Sequence, residues 1–192
     1  MLMLAAAAAL LSLERRFYIL ISHRPNAIRA PAFTRAATDP IALVRALFFA
    51  FKIIQLGVFA AWCVAFGDSP WWIPTAAPAE CATAAVLIIF GQALNASVFV
   101  RLGPKGVFYA CELGHDVPYV EGFPFSWFRH PQYVGTVLSI WGVFLAMRFP
   151  NPDWLVLPML ETTYYVIGAR LERPGHAAHA LVPSLGSAME EP

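Results

Sequence analysis

Residues 122–147 read GFPFSWFRHPQYVGTVLSIWGVFLAM, and this stretch decides the fold. Its first half carries prolines, aromatic rings, Arg129 and His130. Its second half, from Tyr133 to Met147, is an uncharged apolar run. Aromatic and cationic side chains directly against such a run are typical of the boundary between water and lipid. The stretch therefore indicates a polar site at the edge of a membrane helix.

The composition of the whole chain agrees with a membrane protein. The 192 residues are 59% hydrophobic and 13% charged, whereas soluble domains are about 45–50% apolar and about 25% charged. The length predicts a single domain over residues 1–192. The net charge of +1 gives no electrostatic case for nucleic acid as a partner. The wide spacing of Cys63, Cys81 and Cys111 predicts neither disulfides nor a metal site.

The apolar runs predict an all-α integral membrane protein with about four to five membrane helices, including a C-terminal helical hairpin. A first helix over residues 1–21 contains charges and is expected to insert wholly or in part. Residues 41–66 and 80–100 are long enough to span, because a membrane helix needs about 20 residues. Residues 133–171 hold two shorter apolar runs, and a hairpin satisfies their backbone better than two lipid-exposed helices do.

The distribution of Lys and Arg predicts the orientation. The loops 22–40 and 101–132 carry the excess of Lys and Arg, while residues 67–79 carry none. The positive-inside rule therefore makes both basic loops cytosolic, and a hairpin returns residues 170–173 to the same side. We expect the site to face the cytosol and residues 174–192 to form a mobile tail.

The tripeptide Arg129-His130-Pro131 is the first candidate site. Pro131 keeps His130 out of helical geometry and suits the first turn of the next helix. The free N–H groups of that helix offer a place for a carboxylate, and Arg129 adds a bidentate cation. The alternative is an Arg and a His that only anchor the helix to lipid headgroups.

Two carboxylates of the hairpin are further candidates. Glu172 ends the second arm, so a hairpin would bring it towards Arg129 and His130, where it would receive an ammonium group. A plain surface ion pair is the alternative. Glu161 lies within an apolar run, where an ionisable side chain is a functional hypothesis by default. We predict that Glu161 accepts the proton of an amine, the alternative being a structural partner for Arg148 or a hydroxyl.

Aromatic side chains concentrate around these charges. Aromatic faces bind quaternary ammonium and similar cations, although belts of Trp and Tyr also arise at membrane interfaces without a ligand. The predicted substrate-binding residues are Trp127, Tyr164 and Tyr165.

Several of these motifs resemble the phospholipid N-methyltransferase family. The resemblance rests on GFPF at residues 122–125, PQYVG at 131–135, the apolar hairpin and a Glu near its end. KGVFY at residues 105–109 is similar to the plant and algal branch. The Arg-His-Pro element is also similar to the wider membrane group that includes isoprenylcysteine carboxyl methyltransferases.

The resemblance implies S-adenosylmethionine as methyl donor and an amine headgroup as acceptor. The family has a Gly-x-Gly donor contact, and only its second glycine is present in this chain, as Gly91. Many members end the hairpin with Glu-Glu, where this chain has Glu172-Arg173. Including Arg129 of the tripeptide described above, the residues predicted to hold the donor are Gly91, Arg129, His130, Tyr133, Gly135, Glu172 and Arg173.

The expected activity is N-methylation of phosphatidylethanolamine derivatives towards phosphatidylcholine, with the mono- and dimethyl forms favoured. The expected partners are the lipid acceptor and the membrane, and the resemblance implies the membrane of the endoplasmic reticulum. The sequence leaves the oligomeric state open. Two alternatives stand beside this expectation. One is a prenylcysteine carboxyl methyltransferase of the same fold, whose acceptor is a carboxylate, and the other is an inactive lipid-binding scaffold.

Overall fold

Helices account for most of the computed structural model, which describes residues 1–29, 39–67, 73–111, 113–115, 120, 122–147 and 152–172. Within those residues the α-helices are α1 (Leu2–His23), α2 (Pro40–Phe66), α3 (Pro78–Val107), α4 (Pro131–Ala146) and α5 (Val156–Leu171). Short 3-10 helices at Pro25–Arg29 and Pro152–Leu155 follow α1 and precede α5. The described part contains no strand, which confirms the prediction of an all-α protein. Arg173 and the predicted tail, 174–192, lie outside it.

α2 and α3 are the described helices that are long and apolar enough to cross a membrane. Only 22% of the apolar window of each is buried within the protein, so most of their apolar surface faces outward, as in a membrane protein. α2 begins where the sequence predicts, because Asp39 Oδ1 accepts the N–H of Ile41 at 2.9 Å and Pro40 opens the first turn. The predicted spans at 41–66 and 80–100 are therefore confirmed as helices.

α3 extends beyond the predicted span. Gly103 adopts φ 64° and ψ 179°, which kinks the helix before a last turn that ends at Val107. Glycine enters this region of positive φ at little steric cost. The predicted loop 101–132 is therefore wrong at its start, since residues 101–107 belong to the helix and the connection begins after them.

The closest helix packing joins α3 and α4, which run antiparallel. A Cβ atom on Gly135 would lie 2.5 Å from the carbonyl oxygen of Gly91, and one on Gly142 would lie 2.7 Å from that of Ala84. The backbones thus approach each other directly over small residues, which is how membrane helices associate where lipid removes the hydrophobic driving force.

α4 and α5 form the predicted hairpin. Each has 16 residues, about 24 Å of helix at a rise of 1.5 Å per residue, compared with about 30 Å for the hydrocarbon core. Trp141 Nε1 donates to Thr162 Oγ1 at 2.9 Å in the middle of the hairpin, and Tyr133 Oη donates to Glu172 Oε2 at its open end. The two ends of the hairpin meet, as predicted.

The ends of α1, α3 and α5 gather with the start of α4 at one side of the bundle. His23 Nε2 lies 2.7 Å from the carbonyl oxygen of Leu171, and Tyr109 Oη donates to Glu172 Oε2 at 3.0 Å. At the opposite side Trp62 Nε1 donates to the carbonyl of Asp153 at 3.0 Å. The helices therefore alternate in direction. The side that holds His23, Tyr109 and Leu171 is called the basic end below, because the basic segments begin or end there.

Candidate active site

Charged side chains of α1 and α2 meet inside the bundle. Arg15 Nη2 and Lys52 Nζ each lie 2.9 Å from Glu14 Oε1, and these three residues are called the charged cluster below. Lys52 also donates to Gln55 Oε1 at 3.2 Å and to Tyr165 Oη at 3.1 Å. Its three N–H donors are thereby used within the protein, which holds the cluster in a defined geometry.

Arg15 lies at the centre of the site and is 4% exposed. Its guanidinium carbon stands 4.2 Å from the ring centroid of Tyr165, 4.7 Å from that of Tyr133 and 5.0 Å from that of Tyr18. Its Nη1 is 3.9 Å from Glu172 Oε1 and has no hydrogen-bond acceptor among the described residues. A buried donor left without an acceptor costs free energy, so this position favours an anionic group of a ligand.

Glu172 closes the site at the basic end. Its Oε2 accepts hydrogen bonds from the hydroxyls of Tyr109, at 3.0 Å, and Tyr133. The ring of Tyr109 in turn stacks on that of Tyr18 with centroids 5.3 Å apart. The carboxylate is thus fixed among aromatic rings, an arrangement suited to an ammonium or sulfonium group.

His130 is the N-cap residue of α4, with φ −129° and ψ 68°, so it is non-helical as the following proline predicts. Its ring stacks on Tyr133 with centroids 5.5 Å apart, and its buried Nε2 has no partner in the described part of the chain. Burial lowers the pKa of His130 and the charge of Arg129 lowers it further, while a hydrogen bond to the backbone of Ala169 acts in the opposite direction. The neutral imidazole therefore prevails at neutral pH.

A cavity of about 660 Å³ opens beside the charged cluster, between α2 and the α3–α4 pair. This volume falls within the range of about 300–1,000 Å³ that is typical of ligand sites. Glu14, Arg15, Lys52, Tyr133 and Tyr165 contribute to its wall. Polar side chains of α3 and α4 face them across the cavity, namely Gln92, Asn95, Gln132, Thr136 and Ser139.

Four of the predicted site residues lie together, namely His130, Tyr133, Tyr165 and Glu172. Tyr133 and Tyr165 line the cavity, while His130 and Glu172 reach it through their contacts with Tyr133. The cation that lies beside Glu172 is Arg15 of α1, which the sequence analysis did not name, whereas Arg129 is exposed. A role of Arg129 in donor binding stays a prediction. Arg129 lies close enough to His130 to affect its pKa.

Gly91 and Gly135 lie against each other in the α3–α4 interface. The close approach of the two backbones accounts for the absence of a side chain at both positions. Their contact with a methyl donor stays a prediction. The same holds for Arg173, which lies beyond the described residues.

Trp127 and Tyr164 lie away from the cavity. Trp127 is 72% exposed, and its ring packs edge-on against Phe123 with centroids 5.5 Å apart. Tyr164 Oη donates to the carbonyl of Ala8 at 3.0 Å, which ties α5 to α1. Of the predicted substrate-binding residues, Tyr165 is the one that lines the cavity.

Glu161 is 2% exposed, and its Oε1 accepts a hydrogen bond from Gln55 Nε2 at 2.7 Å. Gln55 lines the cavity, so its amide stands between Glu161 and that space. A structural partner on another helix was the alternative weighed for Glu161, and the described partner is an amide of α2; Arg148, one of the partners named for it, lies outside the described residues.

The sequence analysis missed the charged cluster. It assigned no function to the charges of the first helix, among them Glu14 and Arg15, or to Lys52 within the predicted span 41–66. Lys52 follows Pro40, the first residue of α2, by 12 positions, which is about 18 Å of helix and too deep for snorkelling to the basic end. The principle applied to Glu161, that an ionisable residue inside a membrane helix is a functional candidate, would have found all three residues.

Comparison with known proteins identifies the family. A model of the family named Phospholipid methyltransferase matches residues 79–178, slightly more than half of the 192 residues. The chain belongs to the phospholipid methyltransferase family. The matched region contains α3 from its second residue onward, α4 and α5, and with them every residue of the predicted site.

Two curated relatives share parts of this chain. An Arabidopsis thaliana protein named Phosphatidyl-N-methylethanolamine N-methyltransferase is 44% identical over 54 residues, which are 28% of this chain and 33% of the relative. A Dictyostelium discoideum protein named Phosphatidylethanolamine N-methyltransferase B is 44% identical over 89 residues, 45% of this chain and 43% of the relative. The matches thus span less than half the length of either relative. No solved structure matches the chain.

Proposed function

We propose that this chain transfers methyl groups from S-adenosylmethionine to the amine of phosphatidylethanolamine derivatives, towards phosphatidylcholine, with the mono- and dimethyl forms as preferred acceptors. One observation carries the proposal beyond family membership. Tyr133 and Glu172 of the family-matched helices meet Arg15 at the head of a cavity that continues between apolar helices. We further propose that α1 to α5 all cross the endoplasmic reticulum membrane, with the basic end in the cytosol.

The side chains present fit S-adenosylmethionine. Its carboxylate needs an N–H donor, and Arg15 Nη1 is buried without an acceptor among the described residues. The neutral His130, whose ring already bonds the backbone of Ala169, offers Nε2 as a hydrogen-bond acceptor. The ammonium of the donor needs an anion, which Glu172 supplies. Its sulfonium needs aromatic faces, and the rings of Tyr133 and Tyr165 adjoin the same space. When bound, the donor supplies the methyl group.

The acceptor amine must be neutral to attack, so a carboxylate or a water has to take up its proton. The sequence predicts Glu161 for this role, but an amine in the cavity meets Gln55 before Glu161. Glu14 lines the cavity directly and is held in place by Arg15 and Lys52. Because a general base must be within hydrogen-bond reach of its proton, the geometry favours Glu14.

Positioning accounts for most of the expected rate acceleration, because methyl transfer to nitrogen is a direct displacement that needs its atoms in line. The contacts of the charged cluster link α1, α2 and α5, and the Tyr133 hydroxyl links α4 to α5. These fixed contacts hold the walls of the cavity at defined distances from one another.

The activity is tested with membranes that contain the full chain, labelled S-adenosylmethionine and a panel of acceptors. The panel comprises phosphatidylethanolamine, its mono- and dimethyl derivatives, and a prenylcysteine. We expect labelled phospholipid, with faster labelling of the mono- and dimethyl forms. Labelled prenylcysteine ester without labelled phospholipid would identify a carboxyl methyltransferase, and no labelled product from any acceptor would leave only the lipid-binding scaffold.

The site is tested with paired carboxamide variants. Glu172→Gln removes a charge that we assign to the donor site and is expected to weaken donor binding about tenfold or more, since a hydrogen bond to a charged group contributes about 1.5–3 kcal/mol. Glu80→Gln is the matched control, because Glu80 caps α3 at the opposite end by accepting the N–H of Ala77 at 3.1 Å. Equal donor affinities of the two variants would refute the assignment of Glu172.

A second pair identifies the base. We expect Glu14→Gln to lower kcat more than Glu161→Gln does, at saturating donor and acceptor. The opposite order would restore the prediction made from the sequence and refute the role given to Glu14.

A further inference from the structure

The cavity changes character along its length. Next to the charged cluster its wall is polar on both sides. Further from the basic end the lining residues are apolar on both α2 and α4, namely Phe59, Ala60, Cys63, Ile140, Val143 and Met147. This set is called the apolar chamber below.

The depth of the cavity is comparable to that of one leaflet. Along α2 the lining from Lys52 of the charged cluster to Cys63 covers 11 residue steps, about 17 Å of helix at a rise of 1.5 Å per residue. Half of the hydrocarbon core is about 15 Å. A hydrocarbon chain that starts at the charged cluster therefore reaches the end of the apolar chamber.

The two parts of the cavity together favour an amphiphile. A small soluble amine would leave the apolar chamber empty or wet, which is unfavourable for apolar surface. A pure hydrocarbon would place apolar groups against Arg15 and Lys52, whose charges require polar surroundings. A molecule with a charged head and a long chain satisfies both parts at once.

We infer that the apolar chamber holds one acyl chain of the phospholipid acceptor and selects acceptors by chain length. Ala60 on α2 and Met147 at the end of α4 determine how far the chain can extend. The inference rests on the proposed function and deepens it, because it assigns a specificity to residues that touch neither donor nor amine.

Two neighbouring alanines of α2 provide a matched test. Ala60 lines the cavity, whereas Ala61 is exposed on the outer face of the same helix. Ala60→Phe and Ala61→Phe therefore introduce the same ring at adjacent positions, inside and outside the chamber. The acceptors are dioctanoyl and dipalmitoyl phosphatidyl-N-methylethanolamine in mixed micelles with labelled donor.

We expect Ala60→Phe to lower the ratio of kcat/KM for the dipalmitoyl over the dioctanoyl acceptor about tenfold, within the range of about 10- to 200-fold over which hydrophobic pockets discriminate. Ala61→Phe should leave the ratio at its native value. Met147→Ala should raise the ratio, because it lengthens the chamber, and it serves as the second variant if Ala60→Phe does not fold.

The outcomes separate the two proposals. Native protein that methylates neither lipid refutes the proposed function, and the inference with it. Native protein that is active, with folded Ala60→Phe and Met147→Ala variants that keep the native ratio, refutes the inference alone. A drop of the ratio in both alanine variants would also refute it, since the effect would then come from the lipid around α2 rather than from the chamber.

Discussion

Gly135→Ala should destabilise this protein by about 2 kcal/mol. The added Cβ would lie 2.5 Å from the carbonyl oxygen of Gly91 and 2.7 Å from Asn95 Oδ1. The first of these atoms is backbone, so no side-chain rotation relieves the overlap and α3 and α4 must separate. Overpacking costs about 1–3 kcal/mol, and a backbone overlap belongs at the upper end. Replacing glycine by alanine in a helix returns about 1 kcal/mol, which leaves the net loss of about 2 kcal/mol.

Gly57→Ala is the matched control for this change. Gly57 lies in the middle of α2, and a Cβ there would have no other atom within 4 Å. The same substitution therefore keeps only the gain in helix propensity, about 0.5–1 kcal/mol. Thermal unfolding in detergent micelles, followed by circular dichroism, gives the comparison. At about 2–4 °C per kcal/mol for a chain of this size, Gly135→Ala should lower Tm by about 4–8 °C, and Gly57→Ala should not lower it.

The affinity for the methyl donor, measured on the same two variants, separates packing from binding. If Gly135→Ala has the same Tm as the native protein but binds the donor weakly, the packing explanation is refuted and the predicted donor contact is favoured. If it is destabilised while the folded fraction binds the donor with native affinity, Gly135 serves the helix interface.

Three further changes test the site. Lys52→Met should lower the free energy of unfolding by about 3 kcal/mol, which is the low end for a broken buried ion pair, because Glu14 keeps Arg15 as a second cation. A loss below about 1 kcal/mol in the same unfolding assay would show that the charged cluster does not stabilise the fold. Tyr133→Phe should weaken binding of the methyl donor about tenfold or more, because Glu172 loses a hydroxyl donor and hydrogen bonds to a charged group contribute about 1.5–3 kcal/mol. Calorimetry measures the affinity for the donor, and an affinity equal to that of the native protein would argue against Tyr133 and Glu172 as parts of the donor site. His130 has a lowered pKa in the folded protein, so its contribution to stability is present above the ordinary histidine pKa of about 6.5 and is lost as pH falls through the lower folded value. The native protein should therefore lose more stability on acidification below about pH 6.5 than His130→Asn does, and parallel stability–pH curves would contradict this.

The elements that the sequence predicted best have local signals. Asp39-Pro40 marks the start of α2 and Pro131 the start of α4, because capping and the restricted φ of proline act within a few residues. The extension of α3 through residues 101–107 was missed, because polar side chains were taken as evidence of a loop. A helix that leaves the hydrocarbon can continue with polar residues, and the kink at Gly103 is compatible with both readings of the sequence.

Only part of the site could be predicted, because the sequence indicates contacts within a hairpin but not contacts between helices that are distant along the chain. Glu172, Tyr133 and His130 are close because one hairpin brings them together, and a hairpin can be inferred from two adjacent apolar runs. The position of Arg15 depends instead on how α1 packs against α5, through contacts such as that of Tyr164 with the carbonyl of Ala8. No periodicity within one helix determines which other helix will be its neighbour, so only the three-dimensional structure assigns Arg15 to Glu172.

The position of Arg15 on α1 affects the free energy of burying Glu172 in the family-matched region. Residues 79–178 match the family, and Glu172 within them has 9% of its side chain exposed. A carboxylate at such a position is unfavourable unless it is paired and hydrogen-bonded. The hydroxyls of Tyr109 and Tyr133 come from the matched region, but Arg15, a cation beside Glu172 Oε1, comes from α1. Arg15 of α1 therefore helps to keep Glu172 inside the bundle, and the candidate active site combines side chains from the matched region with one from outside it.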